Sequence, residues 1–207
     1  MSKRFTIMAI LCSVCLVASN LFETKIFSAS PLSLTGGLLI FPIAYIVNDC
    51  ITELYGFKWA RFAVLTAFGV NAFFVLMAQL VIALPPDPMW DGQEHFQFIF
   101  QADLRITIAS MLAFICGSLL NALVMSKMKA IQGEKGFGWR AILSSLAGES
   151  CDSLIFFPIA FWDFGFSNIV KLMITQIILK TLYEVVILPI TASVVKYFKT
   201  HPERIAA

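Results

Sequence analysis

Six apolar stretches constrain this chain more than any other feature. Each is close to the roughly 20 residues that a helix needs to cross a hydrocarbon core. They fall at about residues 5–22, 35–54, 60–84, 106–126, 139–162 and 169–198. In hydrocarbon, every backbone N–H and C=O must find its partner within the segment, so spans this apolar are helices. A transmembrane barrel is excluded, because the runs lack the apolar/polar alternation that a barrel requires. The chain therefore reads as an all-α, polytopic membrane protein: one integral domain over residues 1–207 with six transmembrane helices.

Orientation follows from the basic residues. With the N-terminus inside, eleven of the 15 Lys and Arg fall in inner segments, among them Lys3, Arg4, Lys58, Arg61, Lys129, Arg140 and Lys199. Only Lys25, Arg105 and Lys171 fall outside. That asymmetry predicts cytoplasmic termini. The first stretch follows Lys3 and Arg4 as a signal peptide would, but no small-residue cleavage site follows it, so an uncleaved first helix is expected. Three spans followed by three spans place the second half upside down relative to the first, an arrangement in which a transport site sits between inverted halves. The second and fifth spans then correspond, and each carries an internal proline and a pair of acids.

Several function classes drop out. A net charge of +2 without any Lys/Arg run offers no footprint for a nucleic acid. Five cysteines, an odd number lying mostly inside apolar runs, suit packing rather than a disulfide framework. His95 and His201 both fall outside the spans, which argues against an intramembrane metal site, and no cofactor is called for. "AGESCD" departs from a nucleophile elbow, because Asp152 stands where the pattern needs glycine. "QGEKGFGW" is a glycine-rich turn without the strand and helix context of a phosphate loop. "PPDPMWDGQEHFQFIFQADL" is the longest loop; its Trp90, Phe96, Phe98 and Phe100 suit an interfacial segment. No small-xxx-small face stands out, so self-association into a homo-oligomer stays open.

What remains is charge at depth. The second span carries Asn48, Asp49 and Glu53 in "NDCITE", with the two acids four apart on one helix face. The fifth carries Glu149 and Asp152, three apart, with Glu149 roughly 15 Å along the helix from Trp139. The sixth carries Lys180 and Glu184, one turn apart, ahead of Pro189, which bends the helix. Each central charge costs about 2.5–3.5 kcal/mol on insertion scales, so four cost on the order of 10 kcal/mol if unpaired. They must face inward and find partners. A buried ion-pair network accounts for Lys180 with one acid; the surplus of Asp49, Glu149, Asp152 and Glu184 points to a solute site. Glu53, near a helix end, is equally well read as a solvated terminus. A flat heterocycle with a guanine-like edge would offer a carboxylate two parallel N–H donors. Tyr45, Phe41, Phe156, Phe157, Phe161 and Trp162 supply rings beside the acids. The residues alone reach an importer of a small polar solute.

The blocks "NDCITELYG", "GESCDSLIFFPIAFW" and "KTLYEVVILP" resemble the queuosine precursor transporter family, also grouped with vitamin uptake transporters. The resemblance covers nearly the whole chain. It implies import across the bacterial inner membrane of 7-deazaguanines, namely 7-cyano-7-deazaguanine, 7-aminomethyl-7-deazaguanine or queuine, for queuosine in transfer RNA. Carried over residue by residue, it points to Asp49, Asp152 and Lys180. Some relatives have Asn or another polar residue where this chain has Glu149, which implies a role in discrimination there. Glu149 or Asp152 would accept the ring N–H and exocyclic amine, with Lys180 holding the other acid or donating to the ring carbonyl. Asp49 and Glu53 would bind from the opposite half or form the cytoplasmic gate. The rival from another class is the substrate-binding subunit of an energy-coupling-factor vitamin importer, which would need partner subunits.

Overall fold

The computed structural model describes residues 2–201 apart from 23, 30, 31, 101–103 and 134. Among these residues seven α-helices run in the order α1 (Lys3–Phe22), α2 (Phe41–Tyr55), α3 (Phe57–Ile82), α4 (Gln93–Phe100), α5 (Leu104–Gln132), α6 (Phe137–Ala160) and α7 (Phe166–Thr200). Six segments have the length and apolarity of a membrane span, as expected: they lie on α1, α3, α5, α6 and α7, and on α2 taken together with the 3-10 turn before it, Gly36–Tyr55. Between α1 and α2 lie two short antiparallel strands, β1 (Ile26–Ala29) and β2 (Leu32–Thr35), joined to α2 through a 3-10 turn at Gly36–Leu39. The sequence gives no sign of this hairpin in its apolar periodicity. The loop expected to lie at the interface contains α4, where Phe96 and Phe100 stack with ring centroids 4.5 Å apart.

Pro42, expected as an internal proline of the second span, is not in the interior of its helix. It occupies the first turn of α2, where a missing N–H costs nothing. Pro158 and Pro189 do lie inside their helices.

Packing follows membrane rules. Lipid tails are as apolar as the side chains, so helices associate through close backbone approach rather than through apolar burial. Accordingly α1, α2 and α3 meet through small residues: Ala44, Ala60, Ala63 and Ala67 are sealed among Phe5, Leu16, Ile51 and Val64. The α5–α6 contact is the most extensive in the bundle and depends on two glycines. A Cβ on Gly117 would sit 2.6 Å from Tyr45 Oη and 2.8 Å from the Gly148 carbonyl oxygen. One on Gly148 would sit 2.8 Å from Asn121 Cβ. This crossing brings α2, α5 and α6 close enough to share polar side chains. Large apolar side chains such as Phe73, Leu76, Val186 and Ile190 point outward toward lipid. Asn20 Nδ2 donates to Asn71 Oδ1 at 3.0 Å and ties α1 to α3 inside the bundle.

The helix ends that carry the basic residues gather at one end of the bundle. There Ser2 Oγ meets Tyr55 Oη at 3.1 Å, and the Arg4 guanidinium donates to the Phe198 and His201 carbonyls while lying 4.8 Å over the Phe198 ring.

Candidate functional site

The ionisable residues at depth form three layers along the seam between α2, α5, α6 and α7. Arg140, Ser145, Glu149 and Asp152 follow one another at spacings of three to five along α6. Helical periodicity therefore presents Ser145, Glu149 and Asp152 toward one side of the helix, and Arg140, about one turn and a half earlier, projects from another.

The layer farthest from the bundle end that carries the termini is built on Lys180. Its Nζ lies 2.9 Å from Glu149 Oε2 and 3.3 Å from Asp152 Oδ2. It also sits 4.1 Å from the centroid of the Phe41 ring, a cation–π contact. Glu149 and Asp152 are both buried. One ammonium thus serves two carboxylates and an aromatic face, which leaves the acids one negative charge in excess if both are ionised. The hydroxyls of Tyr45 and Ser153, both buried, have no hydrogen-bond partner among the described residues. They add polar capacity near the carboxylates.

The middle layer holds Asp49. Asn121 Nδ2 donates to its Oδ1 at 2.8 Å, and Ser145 Oγ to its Oδ2 at 3.4 Å. The Glu184 carboxyl lies within hydrogen-bonding reach of both Asp49 and Ser145. Asn48 turns to α5 instead, donating its Nδ2 to the Ser118 carbonyl oxygen at 3.1 Å.

The third layer closes the end near the termini. Glu53 Oε1 receives Arg140 Nη2 at 2.9 Å and Lys199 Nζ at 2.6 Å, with Lys129 Nζ at 3.6 Å. Lys129 also donates to the Glu53 carbonyl oxygen, and Arg140 to the carbonyls of Gly133 and Lys135. Glu53 is 0% exposed, which removes the solvated-terminus reading. The pairing joins α2, α5, α6 and α7 through one carboxylate.

Of the residues singled out in the sequence, Glu149, Asp152 and Lys180 come together, Asp49 and Glu184 meet next to them, and Glu53 stands apart in its own cluster. Among the aromatics, Tyr45 and Phe157 are buried, whereas Trp162 is 74% exposed. Sequence reasoning missed Asn121, Ser145 and Arg140. Asn121 and Ser145 were visible as polar residues inside apolar runs. Arg140 was counted only toward orientation, although a fully buried arginine near a span end needs an acid.

The family model described as putative vitamin uptake transporter matches residues 35–194. The chain is 29% identical over 134 residues to the probable queuosine precursor transporter of Haemophilus influenzae, which covers 62% of this chain and 52% of that protein. It is 27% identical over 146 residues to the probable queuosine precursor transporter of Bacillus subtilis, covering 70% and 64%. To the queuosine precursor transporter of Escherichia coli it is 30% identical over 132 residues, covering 62% and 55%. The matched part thus spans between about half and just under two thirds of these relatives' lengths. No solved structure gives a significant match.

Proposed function

This chain belongs to the putative vitamin uptake transporter family, and from that premise we propose that it imports 7-deazaguanine precursors of queuosine across the bacterial inner membrane. It is a multi-pass transporter, not an enzyme. In this reading the basic end of the bundle faces the cytoplasm, as the bias of Lys and Arg predicts. The solute enters from the opposite end and meets the Lys180 layer at the contact between the two three-helix halves.

One observation carries the reading: two buried carboxylates share one ammonium beneath an aromatic ring. A 7-deazaguanine carries the complement. Its ring N–H and exocyclic amine form a parallel donor pair for Asp152 or Glu149, its carbonyl accepts from Lys180, and its ring stacks on Phe41 or Tyr45. The solute supplies the donors that a second cation would otherwise supply. Glu149 then discriminates among precursors, since its extra negative charge favours the one bearing an aminomethyl group. Asp49, Asn48 and Glu184 lie one layer further along the path, and Glu53 with its three cations forms the cytoplasmic closure.

The test is to express the chain alone in a bacterium unable to make queuosine precursors. Each precursor is supplied at low concentration, and queuosine is measured in transfer RNA. Restoration by wild type and its loss in Asp152→Asn are expected. No restoration with protein verified in the membrane overturns the reading. Restoration only with added energising subunits replaces it with the binding-subunit alternative.

A further inference from the structure

Next to the Lys180 layer, two acids meet without a base. Asp49 of α2 and Glu184 of α7 are buried, and their carboxyls lie within hydrogen-bonding reach of each other. Among the described residues, neither has a lysine or arginine at ion-pairing distance. Lys180 is held by Glu149 and Asp152, and Arg140 by Glu53. Two carboxylates offer only acceptors, so a hydrogen bond between them requires a proton on one.

The neighbours point the same way by a separate route. Asn121 is 0% exposed; it gives its N–H to Asp49, and its Oδ1 has no donor among the described residues. The Asn48 Oδ1 is buried and equally unpaired. The layer therefore holds more acceptors than donors, and buried acceptors without donors are costly. A ligand that brings a donor satisfies them. Asn121 aims an N–H at Asp49, which competes with a metal ion for that carboxylate, so the ligand indicated is a proton. The titratable and charged groups around the pair are Cys50 and Glu53 on α2, Glu149 on α6 and Lys180 on α7. From α5 the facing groups are the neutral Asn121 and Ser118.

We propose that Asp49 and Glu184 form a proton-coupling site that carries one proton inward with the solute. An O–H bond forms on one of the two carboxylates when water reaches the pair from the outer side. It breaks again when the pair opens to cytoplasmic water, and nothing is oxidised or reduced. Glu184 lies one turn from Lys180 on the same helix, so a movement of α7 that accommodates the solute also moves the proton site. The inference rests on the importer reading for what is coupled, but the proton site can be tested without any solute.

Two measurements decide it. The first is infrared difference spectroscopy of the purified protein in liposomes across a pH titration. A protonated-carboxyl C=O band that titrates in wild type and is lost in both Glu184→Gln and Asp49→Asn is expected. Retention of the band in both variants overturns the site. The second is precursor uptake into proteoliposomes, read as the ratio of rates with and without an inward pH gradient. A several-fold ratio is expected for wild type, a ratio near one for Glu184→Gln, and no response to a sodium gradient. A wild-type ratio of one while precursor counterflow runs, or a sodium response in its place, overturns the coupling. Absence of counterflow for every precursor overturns the importer reading instead, and the infrared result then decides the proton site alone.

Discussion

Arg140 and Glu53 form an ion pair of 2.9 Å in which neither side chain reaches the surface. The pair links the start of α6 to the end of α2, and Lys129 and Lys199 bring the ends of α5 and α7 to the same carboxylate. Removing a partner of a buried pair costs about 3–5 kcal/mol when the other charge is left uncompensated. Here Lys199 and Lys129 stay on Glu53, so the loss of Arg140, the one of the three cations with no exposed surface, should cost less than that. Arg140→Met is therefore expected to lower the thermal unfolding temperature in detergent. Lys129→Met should lower it far less, since Lys129 is partly exposed and farther from the carboxylate. Equal losses in the two variants would show that Arg140 has no special weight.

Lys180→Met strands Glu149 and Asp152 in the bundle. It should abolish uptake and also cost stability, again on the order of a few kcal/mol. The triple variant Lys180→Met, Glu149→Gln, Asp152→Asn removes the charges together. It is expected to recover most of the stability and none of the transport. Thermal unfolding and uptake measured on both proteins separate scaffolding from solute recognition; recovered transport in the triple variant would refute the recognition role.

Glu149→Gln keeps the shape and one acceptor but loses the charge. A hydrogen bond to a charged group is worth about 1 kcal/mol more than a neutral one. Uptake of the aminomethyl precursor should therefore fall by roughly five- to tenfold relative to the cyano precursor. Competition between the two in one uptake assay reads that ratio directly, and an unchanged ratio would remove Glu149 from discrimination.

Gly148→Ala places a methyl 2.8 Å from Asn121 Cβ and 2.9 Å from the Gly117 carbonyl oxygen. The backbone contact cannot yield without separating α5 from α6, and overpacking of this kind costs about 1–3 kcal/mol. Gly69→Ala, which meets nothing within 4 Å, is the control. A lower unfolding temperature for the first and no loss for the second are expected by thermal scanning in detergent.

The six long helices follow from composition alone, because a bilayer leaves an apolar backbone only one way to satisfy its hydrogen bonds. Asp49, Glu149, Asp152, Lys180 and Glu184 were legible for the related reason that charge in hydrocarbon must be inward and partnered. Their partners were not. Asn121 and Ser145 look ordinary in apolar runs, and only the α5–α6 crossing at Gly117 and Gly148 carries them to Asp49. Pro42 reads as internal to the second span and turns out to start its helix, since whether the chain is already helical before a proline depends on the β1–β2 hairpin and its 3-10 turn.

By itself, then, the amino-acid order determined how many times the chain crosses a membrane and which charges had to be accounted for; both are local consequences of solvent and of helical geometry. Tertiary structure alone decided which charges meet. It gave Lys180 to Glu149 and Asp152, Arg140 to Glu53, and Asp49 to Glu184. Arg140 and Glu53 alone are 87 positions apart, and no local pattern specifies such pairings. They are set by which helix faces can approach closely, and that is settled by small residues at the crossings.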